Sequence, residues 1–219
     1  MKIKFYAHAC FRLEHNGLSL ITDPYTPSIA QFEPVGETCD IVVMSSAMDR
    51  FHSDAAQVPG APQVVDAMTV SPYGTMVRGI RIQSIPNREN KPNHSADNAM
   101  YYLTLGGVRI LHMGDAGWLP ESDYINYLTD RVDVLFALTG GLPTIPLPDL
   151  HDFIAAICPR LVIPMHYYHP RGVLNILPVT EFTSHYPPEM VTWLGQSTLE
   201  VTPVTLPKSM QIVVLEQSR

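Results

Sequence analysis

Cysteine and long apolar runs are both scarce in this chain, and each scarcity excludes a class of protein. The three cysteines, Cys10, Cys39 and Cys158, are odd in number, far apart and outside any C-x-x-C pair. They predict neither a disulfide framework nor a thiolate zinc site, and we expect them to be small buried apolar residues. No apolar run approaches the ~18 residues that a membrane-spanning helix needs, so we expect no membrane partner.

Basic residues are also few. Lysine and arginine number 14 against 21 aspartates and glutamates, which gives a net charge of −7. Because phosphate binding needs a clustered Lys/Arg surface, we expect no nucleic-acid partner. His8, Arg12 and Glu14 interrupt the apolar stretch that an amino-terminal secretory signal requires. We therefore expect a cytoplasmic protein whose ligand or substrate is a small molecule, and the sequence leaves its oligomeric state open.

The pattern of apolar residues predicts one α/β domain over residues 1–219. Residues 2–14 alternate like a single strand, and the His-Asn-Gly turn after them predicts a hairpin. The prolines of residues 24–37 predict a surface loop, and the polar residues 86–98 predict another. Further strands are predicted at 18–22, 40–44, 64–70, 80–85, 101–105, 108–111, 132–138, 161–166, 198–204 and 211–215, and helices at 120–128 and 150–157.

The most informative stretch is GGVRILHMGDAG, residues 106–117. Its short β-branched run has strand length and is flanked by glycines, which predicts a buried strand that delivers Asp115 into a tight turn. An aspartate at the carboxyl end of a strand is a common site residue in α/β folds. The alternative is a local role for Asp115 in an Asx-turn or a helix cap.

Four segments together resemble the metallo-β-lactamase superfamily. They are an amino-terminal hairpin that closes on Leu-Ile-Thr-Asp-Pro, a buried strand that runs into a small polar cluster, a strand that ends in HMGD, and a late strand that ends in IPMHY. The resemblance covers residues 3–169 and is strongest to short bacterial metal-dependent hydrolases that include ascorbate-phosphate lactonase-like proteins. It implies a four-layer αββα sandwich with the site on one rim of two packed sheets.

The resemblance also implies a set of metal ligands, of which this chain keeps few. Asp49, Asp115 and His166 match ligand positions of the family, and Asp49 and Asp115 are also the expected catalytic residues. Four other ligand positions carry residues that do not match the family's histidines: Ser45, Ala47, Arg50 and Asn87. A guanidinium has only donors, so Arg50 cannot bind a cation. The metal-binding motif is therefore degenerate.

Two arrangements of side chains could compensate for the missing histidines. His52 or His94 could supply a replacement ligand. Alternatively, the guanidinium of Arg50 could occupy the metal position and pair with Asp49 and Asp115, supplying the charge that a metal would bring. The opposing interpretation is that Arg50 points to solvent.

Six further residues are candidates for the surroundings of the site. His8 and His112 resemble positions that orient ligands in this branch, although packing in the core explains them equally well. Trp118 follows the Asp115 turn, while Tyr167, His169 and Arg171 follow the last strand of the match, where they could line a pocket or form a solvated turn.

The sequence leaves two functions open. The ligand count favours a hydrolase-like protein that is weak or inactive, binds no cofactor and keeps its pocket for a small metabolite or another subunit. The alternative, favoured by analogy of fold, is an active hydrolase of a small ester, lactone or phosphodiester that uses Zn or Mn held by non-standard ligands.

Overall fold

Two mixed β-sheets form the centre of the computed structural model, which describes residues 1–89 and 97–219. The first sheet has six strands in the order β13-β1-β2-β3-β4-β5, and the second has eight in the order β12-β14-β11-β10-β9-β8-β7-β6. The strands are β1 (Lys2–Ala7), β2 (Cys10–His15), β3 (Leu18–Thr22), β4 (Ile41–Met44), β5 (Gln63–Asp66), β6 (Thr75–Val77), β7 (Ile80–Arg88), β8 (Asp97–Leu105), β9 (Val108–His112), β10 (Val134–Leu138), β11 (Leu161–Met165), β12 (Val191–Trp193), β13 (Thr198–Glu200) and β14 (Gln211–Val214).

Aromatic and aliphatic side chains fill the space between the sheets. Phe11 of the first sheet packs against Phe136 of the second, with ring centroids 4.2 Å apart. Both rings belong to one large cluster of buried apolar residues that draws on both sheets. Burial of each such side chain contributes roughly 1.5–3 kcal/mol, so this shared core holds the two sheets together.

Helices cover the outer faces of the sheets and complete an αββα sandwich. They are α1 (Pro27–Ala30), α2 (Ser122–Leu128), α3 (Leu147–Ile157) and α4 (Val179–Thr183). Helix α3 buries Leu150, Phe153, Ile154 and Ile157, the spacing of one helical face. A second apolar cluster, which includes Tyr25, Phe32 and Val35, covers the outer face of the first sheet. No helix of the described residues is long and apolar enough to cross a membrane.

The segment 2–14 is two strands and not the single strand that its alternation predicts. β1 and β2 pair antiparallel, and Ala7 faces Cys10 across a turn made by His8 and Ala9. His8 takes a left-handed φ of 54°. The sequence carries no Gly, Pro or Asn at this turn, so the usual signal of a tight hairpin is missing. This correction matters because the turn places His8 at the rim of the sandwich.

Three other expectations are corrected. Pro86 and Asn87 belong to β7 and not to a loop, because β6 reaches only Ile82 and leaves the edge of β7 beyond it unpaired, where proline is tolerated. The segment 24–37 is a surface loop only in part, since it contains helix α1 and buries Tyr25, Phe32 and Val35. Cys158 is exposed, because it ends helix α3 in a left-handed conformation.

Candidate metal centre

Three imidazoles meet at the rim of the sandwich. One ring nitrogen of each of His8, His52 and His166 lies within 4.8 Å of the corresponding atoms of the other two. The relative solvent exposure is 4% for His8 and 2% each for His52 and His166. They come from distant parts of the chain, so the fold alone brings them together. We call His8, His52, His166 and Asp115 the rim cluster.

A backbone hydrogen bond joins His8 and His166, the first and last histidines of the cluster along the chain. The backbone N–H of His166 donates to the carbonyl oxygen of His8 at 2.9 Å. His166 directly follows β11 and takes a left-handed φ of 51°, which turns its side chain away from the strand's direction. This hydrogen bond links the amino-terminal hairpin of the first sheet to the end of β11 in the second sheet. It fixes the spacing of the two imidazoles.

Asp49 organises the loop that presents His52. Its Oδ1 accepts hydrogen bonds from the backbone N–H groups of Phe51 and of His52, the latter at 3.0 Å. The carbonyl of Phe51 in turn accepts from the N–H of Thr26 at 2.9 Å. Asp49 therefore acts on the cluster in part through the position of His52, a role that a ligand motif does not reveal.

Asp115 reaches the cluster from the turn after β9, as its sequence context predicts. Its backbone N–H donates to Oδ1 of Asn98 at 3.0 Å. Gly114 precedes it with a left-handed φ of 57°, and a Cβ there would lie 2.5 Å from Cβ of Ser45. The turn therefore requires glycine at this position, both for its backbone conformation and for lack of space.

The carboxylate of Asp115 lies between two of the imidazoles. Its Oδ2 is 3.1 Å from Nε2 of His52, and its Oδ1 is 3.7 Å from Nε2 of His166. Burial lowers the pKa of His52, but the charge and hydrogen bond of Asp115 outweigh burial and raise this pKa to about 9. His52 is thus an imidazolium paired with Asp115. Since metal ligands must be deprotonated, a cation would compete with this proton for the imidazole.

His8 and His166 are neutral at pH 7. Burial lowers the pKa of both, and the neighbouring His52 lowers each further, while Asp115 partly opposes the shift. Several of their nitrogens are buried without a hydrogen-bond partner among the described residues: Nδ1 and Nε2 of His8, Nδ1 of His166 and Nδ1 of His52. Buried polar atoms are normally satisfied, so unpartnered nitrogens on three neighbouring imidazoles indicate a ligand.

These residues fit a metal ion. Three imidazoles and one carboxylate form a donor set typical of zinc and related transition metals. Nitrogens ~2.1 Å from a tetrahedral ion lie roughly 3.4 Å apart, so a cluster already within 4.8 Å needs only small side-chain movements. The immediate surroundings are aromatic. The centroid of the His8 ring lies 5.1 Å from that of Phe32 and 4.7 Å from that of Phe51.

A second group of acidic residues adjoins the cluster. One carboxylate oxygen each of Asp49, Glu89 and Asp115 lies within 4.8 Å of the others. Glu89 is 5% exposed although it follows the end of β7. Asp115 belongs to both groups and so connects the imidazoles to the carboxylates.

His112 is a structural histidine. Its Nδ1 accepts from the backbone N–H of Gly114 at 3.0 Å, and its Nε2 donates to the carbonyl of Ala9 at 2.9 Å. Burial lowers its pKa to about 3, so the ring is neutral with its proton on Nε2. The 3.3 Å approach of Asp23 to Nδ1 is therefore not an ion pair. His112 is thus packed in the core, and its Nδ1 also holds the turn that carries Asp115.

Asp23 is held in the same buried network. Tyr101 donates its hydroxyl proton to Oδ2 of Asp23 at 3.0 Å, and the N–H of Ser45 donates to Oδ1 at 2.6 Å. Burial nevertheless raises the pKa of Asp23 to about 7, because these donors only partly replace water. The network fixes the start of the loop that leads from β4 to His52.

The four degenerate positions take no part in the rim cluster. Ser45 is buried in the Asp23 network, and Ala47 is exposed. The side-chain amide of Asn87 donates to the carbonyl of Trp118 at 2.9 Å. Arg50 is exposed, and within the described part of the chain no ion pair joins it to Asp49 or Asp115. The interpretation in which Arg50 points to solvent therefore describes the structure.

The remaining candidates surround the site without entering the cluster. The Tyr167 hydroxyl donates to the carbonyl of Leu215 at 3.2 Å, and Arg171 donates to the carbonyl of Arg219 at 2.6 Å. The ring of His169 lies 5.6 Å from that of Phe32. Tyr167 and His169 both line a cavity of about 470 Å³ on that side of the protein. Trp118 is half-exposed, and His94 lies outside the described residues.

The sequence assigns a lesser role, or none, to three residues beside the site. It predicts that His8 orients ligands or packs, because the turn that brings it to the rim has no signal in the sequence. It predicts His52 only as a replacement ligand, two residues beyond the last motif position at Arg50, and the structure places His52 within the rim cluster, 3.1 Å from Asp115. Glu89 carried no signal, since it stands in the polar segment 86–98.

The fold and the site define a recognisable class. Two packed mixed sheets with imidazoles and carboxylates converging on one rim are the architecture that the sequence resemblance implies. A family model described as the beta-lactamase superfamily domain matches residues 2–166, a range that contains the whole rim cluster. The chain belongs to the metallo-β-lactamase superfamily.

Several known proteins are similar over most of the chain. A UPF0173 protein of Pyrococcus furiosus is 31% identical over 182 residues, covering 76% of this chain and 83% of the relative. A UPF0173 metal-dependent hydrolase of Thermoplasma acidophilum is 27% identical over 188 residues, with the same coverage of 76% and 83%. The crystal structure of a candidate Zn-dependent hydrolase of the superfamily from Thermotoga maritima superposes with a TM-score of 0.77 at 27% identity, covering 98% of both chains.

Proposed function

We propose that this protein is a metal-dependent hydrolase whose metal is held by His8, His52, His166 and Asp115. The observation that carries the proposal is the convergence of three buried imidazoles, each with at least one ring nitrogen that has no hydrogen-bond partner among the described residues. The names of its relatives as metal-dependent hydrolases support the same reaction class. Three imidazoles and a carboxylate favour Zn, with Mn as the other candidate.

The proposed centre replaces the family's missing histidines with residues from elsewhere. His52 serves in place of the histidines absent at Ser45 and Ala47, and His8 enters from the amino-terminal turn. The degenerate motif would then be a relocation of ligands and not a loss of them.

When bound, the metal would lower the pKa of a water to roughly 7 and polarise a substrate carbonyl. The chain's own residues do the rest. Asp115 holds His52 and His166 in place through its two oxygens. Asp49 lies beside Asp115 and accepts the proton of the attacking water, which is the work of a general base. Phe32 and Phe51 limit the access of bulk water to the imidazoles.

The substrate class in this proposal is a small ester, lactone or phosphodiester. That the protein works in the cytoplasm on a small molecule, without nucleic acid or membrane, stays a prediction from composition. The competing hypothesis is a silent relative that binds no metal. One observation favours it, since the imidazolium of His52 and the carboxylate of Asp115 already neutralise each other.

Elemental analysis of protein purified without a metal-binding tag separates the two hypotheses. We expect about one Zn or Mn per chain and a fall in thermal stability when a chelator is added. The His52→Ala variant should lose the metal, whereas His185→Ala, which removes an exposed histidine outside the cluster, should retain it. Metal-free wild-type protein after loading with Zn²⁺ and Mn²⁺ would overturn the proposal and favour the silent relative.

A further inference from the structure

Apolar side chains stand exposed on the loops that carry the rim cluster. Met48 is 89% exposed, Leu142 63%, Trp118 48% and Leu177 40%. We call these four residues the apolar rim. Isolated exposed apolar residues are ordinary, but their recurrence on adjoining loops around one site marks a binding surface.

Each residue of the apolar rim lies close to a residue of the site, either in sequence or through a backbone hydrogen bond. Met48 directly precedes Asp49. Trp118 follows Asp115 by three positions, and its carbonyl accepts from the amide of Asn87 at 2.9 Å. The N–H of Gly117 beside it donates to the carbonyl of Arg88 at 2.8 Å, next to Glu89. Trp118 thus lies at the edge of the acidic group.

Leu142 and Leu177 lie on the opposite side, beside His166. A Cβ on Gly140 would overlap the backbone carbonyl oxygen of His166, which places the 140–142 segment directly against that residue. The N–H of Leu177 donates to the carbonyl of Gly140 at 2.8 Å. The loop after β9 joins this side too, because the N–H of Ile145 donates to the carbonyl of Ala116 at 2.9 Å. The loops of Leu142 and Leu177 therefore adjoin both His166 and the turn that carries Asp115.

The charged groups beside this surface do not favour an anion, since the acidic group of Asp49, Glu89 and Asp115 lies at its edge. The guanidinium of Arg88 lies 4.9 Å from the centre of the Trp118 ring, in a cation–π contact. The guanidinium of Arg171 donates to the carbonyl of Arg219. A substrate whose bulk is apolar suits such a surface better than a phosphodiester does, because apolar contact needs no compensating charge.

We propose that the apolar rim binds the acyl chain of the substrate, so that the protein hydrolyses esters or lactones with a long apolar chain. The inference rests on the proposed hydrolase function and names its substrate class. In the reaction, the water oxygen bonds to the carbonyl carbon, the bond from that carbon to the alcohol oxygen breaks, and the proton released by the water ends on the alcohol oxygen. An ester gives an acid and an alcohol, and a lactone gives a single hydroxy acid.

Hydroxamates test the rim separately from turnover, because their head group binds a metal whether or not the protein is active. Acetohydroxamate and octanohydroxamate differ only in the chain. With the metal-loaded protein in a calorimetric titration, we expect the octanoyl compound to bind at least roughly tenfold more tightly. The ratio of kcat/KM for p-nitrophenyl octanoate over acetate should show the same preference.

A double variant assigns the preference to the rim. Trp118→Ser with Leu142→Ser should reduce the ratio of the two hydroxamate affinities to within about threefold. Val204→Ser with Met76→Ser removes two apolar side chains elsewhere that are more exposed, at 92% and 64%, and should leave the ratio unchanged. Equal affinities in the wild type, or a ratio that survives the rim substitutions, would overturn the inference.

Two further outcomes are informative. A wild-type dimer that becomes monomeric in the rim variant, measured by light scattering, would assign the surface to a second copy of the chain and overturn the inference. Failure of acetohydroxamate to bind, with no metal taken up, would instead refute the proposed function. Octanoate alone, titrated into the wild type and the double variant, would then still report whether the rim takes an apolar chain.

Discussion

Nε2 of His52 lies 3.1 Å from Oδ2 of Asp115, within a cluster in which both ring nitrogens of His8 and Nδ1 of His166 have no hydrogen-bond partner among the described residues. The pair gives the metal-free protein a stable charge arrangement. It also shows why a motif search finds a degenerate site. In the proposed centre one imidazole comes from His52, three residues after Asp49 and outside the motif, on a loop that Asp49 itself shapes.

Asn98 should control the position of Asp115. Asn98→Ala removes the acceptor of the Asp115 N–H and leaves that donor buried, so we expect a loss of about 1–3 kcal/mol in the free energy of unfolding. Metal affinity should fall roughly tenfold, as it does when groups that orient ligands are removed. Urea denaturation and a competition titration with a chromophoric chelator measure the two effects. Asn98→Asp keeps an acceptor oxygen and should retain more stability than the alanine variant; equal loss in both would contradict this role.

Gly140 should tolerate no side chain. A Cβ there would overlap the carbonyl oxygen of His166 and lie 2.9 Å from Cδ1 of Ile176, so Gly140→Ala should cost about 2–3 kcal/mol and weaken metal binding by displacing His166. Gly195→Ala is the control, since its Cβ meets nothing within 4 Å and only its φ of +66° opposes the change. That variant should cost about 1 kcal/mol and leave metal binding intact. Gly140→Ala with unchanged metal affinity would refute the prediction.

Stability should fall in mild acid through His151. Burial first, and then the stacked His185, lower its pKa to about 4, and Tyr186 is hydrogen-bonded to its Nδ1 at 2.9 Å. Because the unfolded chain binds this proton more readily, the contribution of His151 is present above pH ~6.5 and is lost as pH falls through about 4.

The size of this effect is limited by solvent, since His151 is partly exposed, and we expect about 1 kcal/mol. Urea midpoints at neutral pH and near the lowered pKa should therefore differ more for the wild type than for His151→Phe, which keeps the packing against Phe182 without the titrating group. The same pH dependence in both proteins would show that other groups account for it.

Among the charged side chains at the end of the second sheet away from the rim cluster, Asp133 should contribute most to the free energy of unfolding. Its carboxylate accepts from Nε, Nη2 and the backbone N–H of Arg109, at 2.9, 2.9 and 2.8 Å. Asp133→Asn should lower the free energy of unfolding by roughly 2 kcal/mol, because it weakens several charge-assisted hydrogen bonds to a buried group. Asp152→Asn, an exposed substitution on α3, should change stability by less than about 0.5 kcal/mol. A denaturation series with both variants makes the comparison.

Much of the fold could be predicted from the sequence, because its central strands are short apolar runs with turn residues on both sides. The strand before Asp115, the strand before His166 and helix α3 lie where the pattern places them. The short edge strands β6 and β12 could not be predicted, since three residues carry no measurable periodicity.

The site was harder to predict than the fold. Asp115 and His166 follow strands with strong signals, so their convergence could be expected. His8 depends on a hairpin turn made without glycine, proline or asparagine, and Glu89 depends on an extension of β7 past a proline. Neither feature carries the residues that usually mark it, so local sequence gives no signal for either.

The hydrogen bond from His166 to the carbonyl of His8 has a consequence for how the site forms. His8 belongs to the first strands of the chain and His166 to the last strand of the matched region, so the cluster is complete only after nearly the whole sandwich has folded. A metal ion or other ligand bound by both His8 and His166 would be a non-covalent cross-link between the two sheets. It would close a long loop of the chain. Loss of the amino-terminal hairpin would release that ligand, and binding of the ligand would protect the hairpin from fraying and proteolysis.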